Sequence, residues 1–184
     1  MDSFYTEAEL KTIGLKKVGE NVKLSRKASI YSPEKISLGS NIRIDDFCIL
    51  SGNITLHNNI HIAAYTAIYG GDCGVIIEDF VNLSSRICIY SVSDDYSGEY
   101  LAGPMVPDDF RNVHGEVVYI GKHVIIGSGS MVMPGVVIGE GSAFGAYSFI
   151  NHSVDPWTIN VGIPCRVIRE RSKNVLELET QLLF

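Results

Sequence analysis

The sequence predicts an all-β solenoid with a short helix near each end. The main observation is a run of apolar residues at every sixth position in the second half of the chain: Ile120, Ile126, Val132, Ile138, Phe144 and Ile150. Six residues turn a helix by about 600°, so these side chains could not share one helical face. On extended chain an even spacing puts them all on one side. Glycine directly follows four of them, which disfavours helix and suits repeated tight turns.

The N-terminal segment, residues 1–16, predicts a short helix. Thr6 is followed three residues later by Glu9, which is a capping-box pattern. In such a box each side chain accepts a hydrogen bond from the backbone N–H of the other residue. The helix is therefore expected to run from Glu7 to Thr12 and to end at Gly14, a residue type common just past a helix end.

The repeat predicts a parallel β-helix over residues 17–160. In the first half of the chain the six-residue spacing is interrupted twice, by a shift of two residues at Ser32-Pro33 and by three extra residues within 70–74. The inward positions there are Val18, Leu24, Ile30, Leu38, Ile44, Leu50, Leu56, Ile62, Ile68, Ile77, Leu83 and Ile89. A second inward set of small or branched residues stands at Ile42, Cys48, Ile54, Ile60, Thr66, Val81, Ile87, Val124, Ser130, Val136, Ser142 and Ser148. One hexapeptide cannot bury its inward residue alone, so successive coils must stack.

The repeat breaks once, over a predicted loop at about residues 91–118. This segment is polar, carries Pro104 and Pro107, and shows no six-residue period. A rigid solenoid otherwise offers only flat faces, and long excursions from a regular scaffold commonly carry function. We therefore expect this loop to be functional.

The C-terminal segment, residues 161–184, predicts a closing helix from Arg166 to Leu183. Its apolar residues fall roughly on one side, and a helix there would protect the open end of the solenoid. A second feature of this half is an outward apolar set: Ile125, Met131, Met133, Val137, Ala143 and Phe149. An exposed apolar face is costly, so we expect a neighbouring subunit to cover it, with the chain's own helix as the alternative.

Composition bounds the function classes. The 184 residues fit a single domain, residues 1–184, and the net charge of −6 argues against nucleic acid or an anionic membrane as a partner. No apolar run approaches a membrane span, and no secretory signal is apparent. The four cysteines show neither paired nor metal-ligand spacing, so we expect free thiols, no metal site and a cytoplasmic location.

The residues from Ile120 to Ile150, together with the closing segment VGIPCRVIR at 161–169, resemble the hexapeptide-repeat acyltransferases. Within that family the galactoside and maltose acetyltransferase branch is the most similar, over about residues 36–170. The resemblance implies a left-handed parallel β-helix, a homotrimer, and acetyl-CoA as co-substrate, with coenzyme A bound between neighbouring solenoids.

The resemblance also implies cofactor roles. Gly127, Ser128 and Ala146 match positions whose backbone lines the pantetheine arm, and the N–H groups of the Gly127–Ser128 turn are candidate oxyanion donors. The remaining cofactor candidates are Asn151 and His152 beside coenzyme A, and Arg166 and Arg169 at its phosphates. For the arginines, a solvated basic patch is the alternative.

The loop departs from the family pattern at its start. The sugar acetyltransferases carry a Gly-His-Pro whose histidine is the general base, whereas this chain has Ser93-Asp94-Asp95 there. An alcohol needs a base to attack a thioester, but an amine can attack once it has lost its own proton. This variant resembles enzymes of surface-polysaccharide (O-antigen) synthesis that acylate the 4-amino group of a dTDP-linked 4,6-dideoxyglucose. Asp94 would then orient the amine or accept its proton.

Other candidates remain at the same site. His114 closes the loop and could be the base of a sugar O-acetyltransferase, or a solvent-exposed loop histidine. Asp72 matches a substrate-contacting aspartate of the family or is a turn residue; Asp95 and Tyr96 are assigned to the substrate. A zinc hydrase would need three convergent histidines, which the spacing does not provide. A purely structural solenoid would need neither the loop nor the two arginines.

Overall fold

The hexad repeat folds into stacked parallel β-coils in the computed structural model, which describes residues 3–183. Met1, Asp2 and Phe184, which belong to the predicted terminal segments, lie outside the described residues. The helices are α1 (Glu7–Leu10) and α2 (Val175–Leu183), with 3-10 turns at Pro33–Lys35 and Asp108–Phe110. The strands are β1 (Lys17–Val18), β2 (Val22–Leu24), β3 (Ser29–Tyr31), β4 (Ile36–Leu38), β5 (Ile42–Ile44), β6 (Ile49–Leu56), β7 (Ile60–Ile62), β8 (Ala67–Ile77), β9 (Asn82–Leu83), β10 (Cys88–Tyr90), β11 (Val92–Asp94), β12 (Val113–Gly115), β13 (Val118–Ile120), β14 (Ile125–Ile126), β15 (Met131–Val132), β16 (Val137–Ile138), β17 (Ala143–Phe144), β18 (Phe149–Ile150), β19 (Thr158–Val161) and β20 (Arg166–Glu170).

The coils present three strand faces. One face stacks β1, β4, the end of β6, the end of β8, β13 and β16. The second face stacks β3, the start of β6, the start of β8, β10, β15 and β18. The third stacks β2, β5, β7, β9, β14, β17 and β19. Strands β6 and β8 each bend around the corner between the first two faces.

The core is the interior of the solenoid, as the two inward sets predicted. Every member of the second set is buried, and so is every member of the first except Val18 and Ile30. These two lie near the N-terminal end, where they are half-buried against the core. Cys48 and Cys165 are buried free thiols, and burial raises the pKa of Cys48 to about 11.

The predicted capping box forms at α1, although the helix ends earlier than expected. Thr6 Oγ1 accepts from the Glu9 N–H, and the Glu9 carboxylate accepts from the Thr6 N–H at 2.8 Å. The helix ends at Leu10, whose buried side chain joins the core, instead of at Thr12. Arg26 donates to the Glu9 carboxylate and, with the Thr6 bonds, lowers the pKa of Glu9 to about 2.

The predicted loop is a β-hairpin that leaves the solenoid after β10. Its strands β11 and β12 pair antiparallel, with Ser93 opposite His114. The base of the hairpin packs on the three-residue insertion in β8. Gly71 has a positive φ of 48°, and a Cβ there would meet the Val92 side chain at 2.5 Å. The insertion therefore supports the base of the hairpin.

The predicted closing helix begins later than expected. Residues Arg166–Glu170 form strand β20, which pairs antiparallel with β19. The reason is that β19 would otherwise leave an unpaired edge at the end of the sheet, and an edge accepts a further strand. The helix α2 follows at Val175. Its Glu179 carboxylate accepts hydrogen bonds from Lys122 at 2.5 Å and from the His123 ring at 2.9 Å, which holds α2 against the side of the solenoid.

No helix within residues 3–183 has the length and apolar character needed to cross a membrane.

Candidate active site

A large concave site lies between the second strand face and the hairpin. We call it the hairpin cleft. Its volume is about 850 Å³, and its lining combines aromatic and apolar side chains with two charged groups. The lining residues are Ser51, Tyr69, Tyr90, Val92, Ser93, Asp94, Tyr96, Pro104, Arg111, Val113, Met131 and Met133. A mostly apolar cleft with few polar groups is typical of a small-molecule site.

Asp94, the predicted catalytic carboxylate, lines the hairpin cleft. It ends strand β11, opposite Val113 of β12, and is half-buried. The antiparallel pairing holds the backbone up to and including Asp94. None of the described histidines lines the cleft. Asp94 and Arg111 are its charged lining residues.

Asp95 accepts hydrogen bonds from other residues of the hairpin. Its side chain is only 8% exposed, and its carboxylate accepts from the Ser97 N–H at 2.5 Å and from Asn112 Nδ2 at 3.2 Å. The bonds from Ser97, with the Asn112 amide and the nearby His114, keep the pKa of Asp95 below its usual value. The observed contacts of Asp95 are therefore structural, and its predicted contact with substrate stays a prediction.

His114 lies on the outer side of the same network. Its Nε2 is 3.7 Å from the Asp95 carboxylate and 3.3 Å from Asn112 Nδ2, and the side chain is 64% exposed. The ring does not line the hairpin cleft, whereas Asp94 does. The ring lies beside Asp95, and the base role of His114 stays a prediction.

The other two substrate candidates differ in their placement. Tyr96 lines the cleft mouth and is almost fully exposed. Asp72 lies in the β8 insertion, outside the cleft lining, where its carboxylate pairs with Lys35 Nζ at 2.7 Å. Lys35 lowers the pKa of Asp72, which therefore stays ionised in a solvent-exposed pair. This geometry agrees with the turn alternative.

Three of the cofactor candidates converge on one corner of the solenoid. Gly127, Ser128 and Ala146 form this cofactor corner, on two successive coils after β14 and β17. A Cβ on Gly127 would meet the backbone N of Ala146 at 2.5 Å, so the two coils are in close contact there. Ser128 Oγ lies 3.3 Å from Ser85 Oγ of the coil before. A thin corner of this kind lets an extended ligand approach the backbone.

The Gly127 N–H group, one of the predicted oxyanion donors, is not free to bind an oxyanion. That N–H donates to the Phe144 carbonyl at 2.9 Å as part of the coil-to-coil pairing. A donor already used by the sheet is not available to a tetrahedral intermediate.

The remaining cofactor candidates lie further along the C-terminal coils. Arg166 pairs with Val161, beside the end of the cofactor corner, and Arg169 lies opposite Ile159 on the same strand. Both arginines are exposed. Asn151 and His152 follow β18, at the far end of that strand from the cofactor corner, and they contact each other at 3.1 Å.

The lining of the cleft by Tyr69, Tyr90 and Arg111 was not predicted from the sequence. Tyr69 and Tyr90 follow inward residues on successive coils and stack with ring centroids 5.1 Å apart. Strand alternation is the signal that could have placed each one outward, one residue after the inward Ile68 and Ile89. Their pairing depends on how the β8 insertion changes the alignment of the coils.

Within the described residues no group of three or more His, Cys, Asp or Glu side chains could hold a metal ion.

Comparison with known proteins identifies the family to which this stacked-coil fold belongs. Residues 118–152 match the family model described as bacterial transferase hexapeptide (six repeats). The chain is 50% identical over 181 residues to the dTDP-4-amino-4,6-dideoxy-D-glucose acyltransferase of Escherichia coli, covering 97% of this chain and 94% of that protein. The chain belongs to the hexapeptide-repeat acyltransferases. The predicted family is confirmed, and with it the left-handed parallel β-helix that this family implies.

Two further relatives are similar over most of this chain. The N-acyltransferase AntD from Bacillus cereus, solved in complex with dTDP and 3-hydroxybutyryl-CoA, is 52% identical, with a TM-score of 0.97. That match covers 100% of this chain and 97% of AntD. Galactoside O-acetyltransferase of Escherichia coli K12 is 32% identical over 157 residues, covering 83% of this chain and 63% of that protein.

Proposed function

We propose that this protein is a coenzyme A-dependent acyltransferase that acetylates the 4-amino group of dTDP-4-amino-4,6-dideoxyglucose. The observation that carries the proposal is the placement of Asp94, and of no described histidine, in the lining of the hairpin cleft. An amino acceptor suits a site without an imidazole base. The proposal is supported by the relatives, one described as an acyltransferase of this nucleotide sugar and one solved with dTDP and an acyl-CoA.

The transfer would proceed by direct attack. The neutral amine attacks the thioester carbonyl carbon, forming a C–N bond and a tetrahedral oxyanion. The C–S bond then breaks, and coenzyme A leaves as the thiolate. The nitrogen loses one proton, which the Asp94 carboxylate accepts and passes to the thiolate. Carboxylates act as such relays when they are within hydrogen-bond reach of the moving proton.

The acyl donor would approach from the cofactor corner. Gly127, Ser128 and Ala146 would line the pantetheine arm, and Arg166 and Arg169 would meet the phosphates. Guanidinium groups suit phosphate because their N–H donors form a planar fork. Asn151 and His152 would lie beside the cofactor from the other end of β18. Met131 lies between the cofactor corner and the hairpin cleft, because it follows Ser128 by three residues and lines the cleft.

We further propose a homotrimer in the cytoplasm, where the product would enter O-antigen synthesis. A column of apolar or sulfur-containing outward residues on the second face, half-buried or exposed on either side of the buried Ala67, supports subunit packing: Ile49, Cys88, Met131 and Phe149. Such a stripe is expensive to leave in water. Four free cysteines agree with a reducing compartment.

Release of free thiol from acyl-CoA tests the activity. With acetyl-CoA we expect turnover of dTDP-4-amino-4,6-dideoxyglucose and at least about 100-fold slower turnover of a galactoside, because the cleft provides no imidazole base for a hydroxyl. A parallel assay with 3-hydroxybutyryl-CoA compares acyl lengths. Turnover of the galactoside but of no dTDP-amino sugar would overturn the proposed acceptor.

A further inference from the structure

Strand β20 carries one residue more than its partner strand β19 can pair. Val167 lies opposite Asn160. The next pair joins Arg169 to Ile159, and Ile168 between them is left unpaired as a β-bulge. A bulge of this kind changes which way the neighbouring side chains point. Ile168 is 57% exposed, so burial of its side chain does not explain the bulge.

The bulge brings the two proposed phosphate-binding arginines to the same face. Arg166 pairs with Val161. Arg169 pairs with Ile159, two residues away on β19. Paired residues on neighbouring strands point the same way, and so do residues two apart on one strand. On a regular strand Arg166 and Arg169, three residues apart, would point to opposite faces. In the bulged strand they share one face, about 7 Å apart.

This register is fixed separately at the two ends of β20. Just before the strand, Cys165 is buried, and its N–H donates to the Phe149 carbonyl at 2.9 Å. Just after the strand, the Arg171 N–H donates to the Trp157 carbonyl at 2.8 Å. The chain between these two fixed points is one residue longer than a regular ladder needs, which is why it bulges.

The Arg171 side chain adds further contacts at the end of β20, which we call the Arg171 clamp. Its Nη1 donates to the carbonyls of His123 at 2.8 Å and Gly141 at 2.9 Å, on two successive coils. The same nitrogen lies 3.4 Å from the Ser142 carbonyl oxygen. A slip of the strand by one residue would move Arg171 by about 3.3 Å and break these bonds.

Without the clamp the second half of β20 could pair with β19 in a regular ladder. Ile168 would then lie opposite Ile159, and Arg169 would lie opposite Thr158. A shift of one residue turns each side chain to the other face of a sheet. Arg169 would therefore turn away from the face that Arg166 occupies.

We propose that Arg171 is a positioning residue for the acyl donor: it holds the bulged register of β20 that aims Arg169, together with Arg166, at the phosphates of coenzyme A. The inference rests on the proposed function and adds how this chain keeps the two arginines side by side. Arg171 acts through β20, since its Nη1 donates to backbone carbonyls of the coils. Loss of one charge-assisted contact changes affinity by about tenfold.

Replacement of Arg171 by methionine tests the clamp with two acyl donors in the thiol-release assay. Acetyl-pantetheine carries the thioester but no phosphate. For Arg171→Met we expect the KM for acetyl-CoA to rise about tenfold, with kcat and the KM for acetyl-pantetheine within about twofold of the wild type. A purely structural role would change both donors alike. The matched control is Lys173→Met, which removes a positive charge from the same segment and should leave both KM values unchanged.

Deletion of Ile168 tests the register directly. Without Ile168 the strand pairs regularly and still places Arg169 opposite Ile159, so the clamp is no longer needed. We expect the deletion alone to keep the wild-type KM for acetyl-CoA, and the deletion combined with Arg171→Met to restore it. The first of these measurements needs no Arg171 variant, so it also applies if Arg171→Met folds poorly.

A double substitution shows whether Arg171 acts through Arg169. Arg169→Met should raise the KM for acetyl-CoA as Arg171→Met does, and the double substitution should raise it no further. Multiplied losses in the double substitution would overturn the positioning role.

The other outcomes separate this inference from the proposed function. A wild-type KM for acetyl-CoA in Arg171→Met, equal losses with both donors, or a raised KM after deletion of Ile168 would overturn the positioning role alone. A wild-type KM in Arg169→Met would overturn the phosphate contact on which it rests. A wild type that does not turn over acetyl-CoA with the amino sugar would instead overturn the proposed function.

Discussion

By the family resemblance, Asp94 is expected at the position where the sugar acetyltransferases carry an imidazole base, and the chemistry of the two groups differs. An imidazole removes a proton from a hydroxyl near neutral pH, whereas an ordinary carboxylate is too weak a base to do so. A carboxylate can still orient an ammonium group or take the proton that an attacking amine releases. At the residue scale, we therefore propose that this exchange selects the acceptor.

Replacement of Asp94 tests this exchange. Asp94→Asn keeps the size of the side chain but cannot hold the proton, so we expect kcat to fall about 100-fold or more in the thiol-release assay. The KM for acetyl-CoA should change by less than about twofold. Asp109→Asn, an exposed loop aspartate outside the cleft lining, is the control. Full activity of Asp94→Asn would remove Asp94 from the mechanism and leave proton loss to the amine alone.

Helix α2 depends on a small number of contacts at the scale of secondary-structure elements. Glu179 joins it to Lys122 and His123, and Arg171 Nη1 donates to the carbonyls of His123 at 2.8 Å and Gly141 at 2.9 Å. Lys122, and after it His123, lowers the pKa of Glu179, whose side chain is 13% exposed. Partly buried, charge-assisted contacts of this kind hold the helix against the coils.

The lowered pKa of Glu179 gives α2 a defined pH dependence. A carboxyl whose folded pKa lies below its unfolded value of about 4.3 stabilises fully above that value and loses this contribution as pH falls through the folded pKa. We expect hydrogen-exchange protection of the α2 amides to decrease below about pH 4. Glu179→Gln should show reduced protection at pH 7 and little further change on acidification.

Glu177→Gln is the matched control for this measurement, because Glu177 is exposed on the same helix. It should leave the protection of α2 unchanged at pH 7. Equal effects of the two substitutions would show that the Glu179 contacts do not hold the helix.

For the whole molecule, the apolar column on the second face predicts self-association. Ile49→Glu would place a charge in the proposed interface, and a buried unpaired charge is strongly destabilising. We expect light scattering to show a trimer for the wild type and a monomer for Ile49→Glu. The monomer should lose activity because the proposed coenzyme A site needs two solenoids.

Ser37→Glu adds the same charge on another face and should remain trimeric and active. A monomeric wild type with full activity would contradict a cofactor site between subunits.

The sequence alone determined the solenoid, its inward residues and the position of the hairpin. These features are local: each hexapeptide repeats the same choice of inward, outward and turn residues, so Ile126 and Ser130 could be placed without knowing their neighbours. The Thr6–Glu9 capping box was predictable for the same reason. The family resemblance was carried by the same repeat and its closing segment.

Only the tertiary structure decided which outward residues meet. Tyr69 and Tyr90 are 21 residues apart and not 18, because the insertion in β8 lengthens that coil, and register across coils accumulates every such change. Residues Arg166–Glu170 became a strand because β19 offered an open edge, which their own sequence does not encode. Likewise, the Gly127 N–H and the Asp95 carboxylate are engaged by partners brought close by stacking and by the hairpin. The repeat fixes which way each side chain points; packing between coils fixes what it touches.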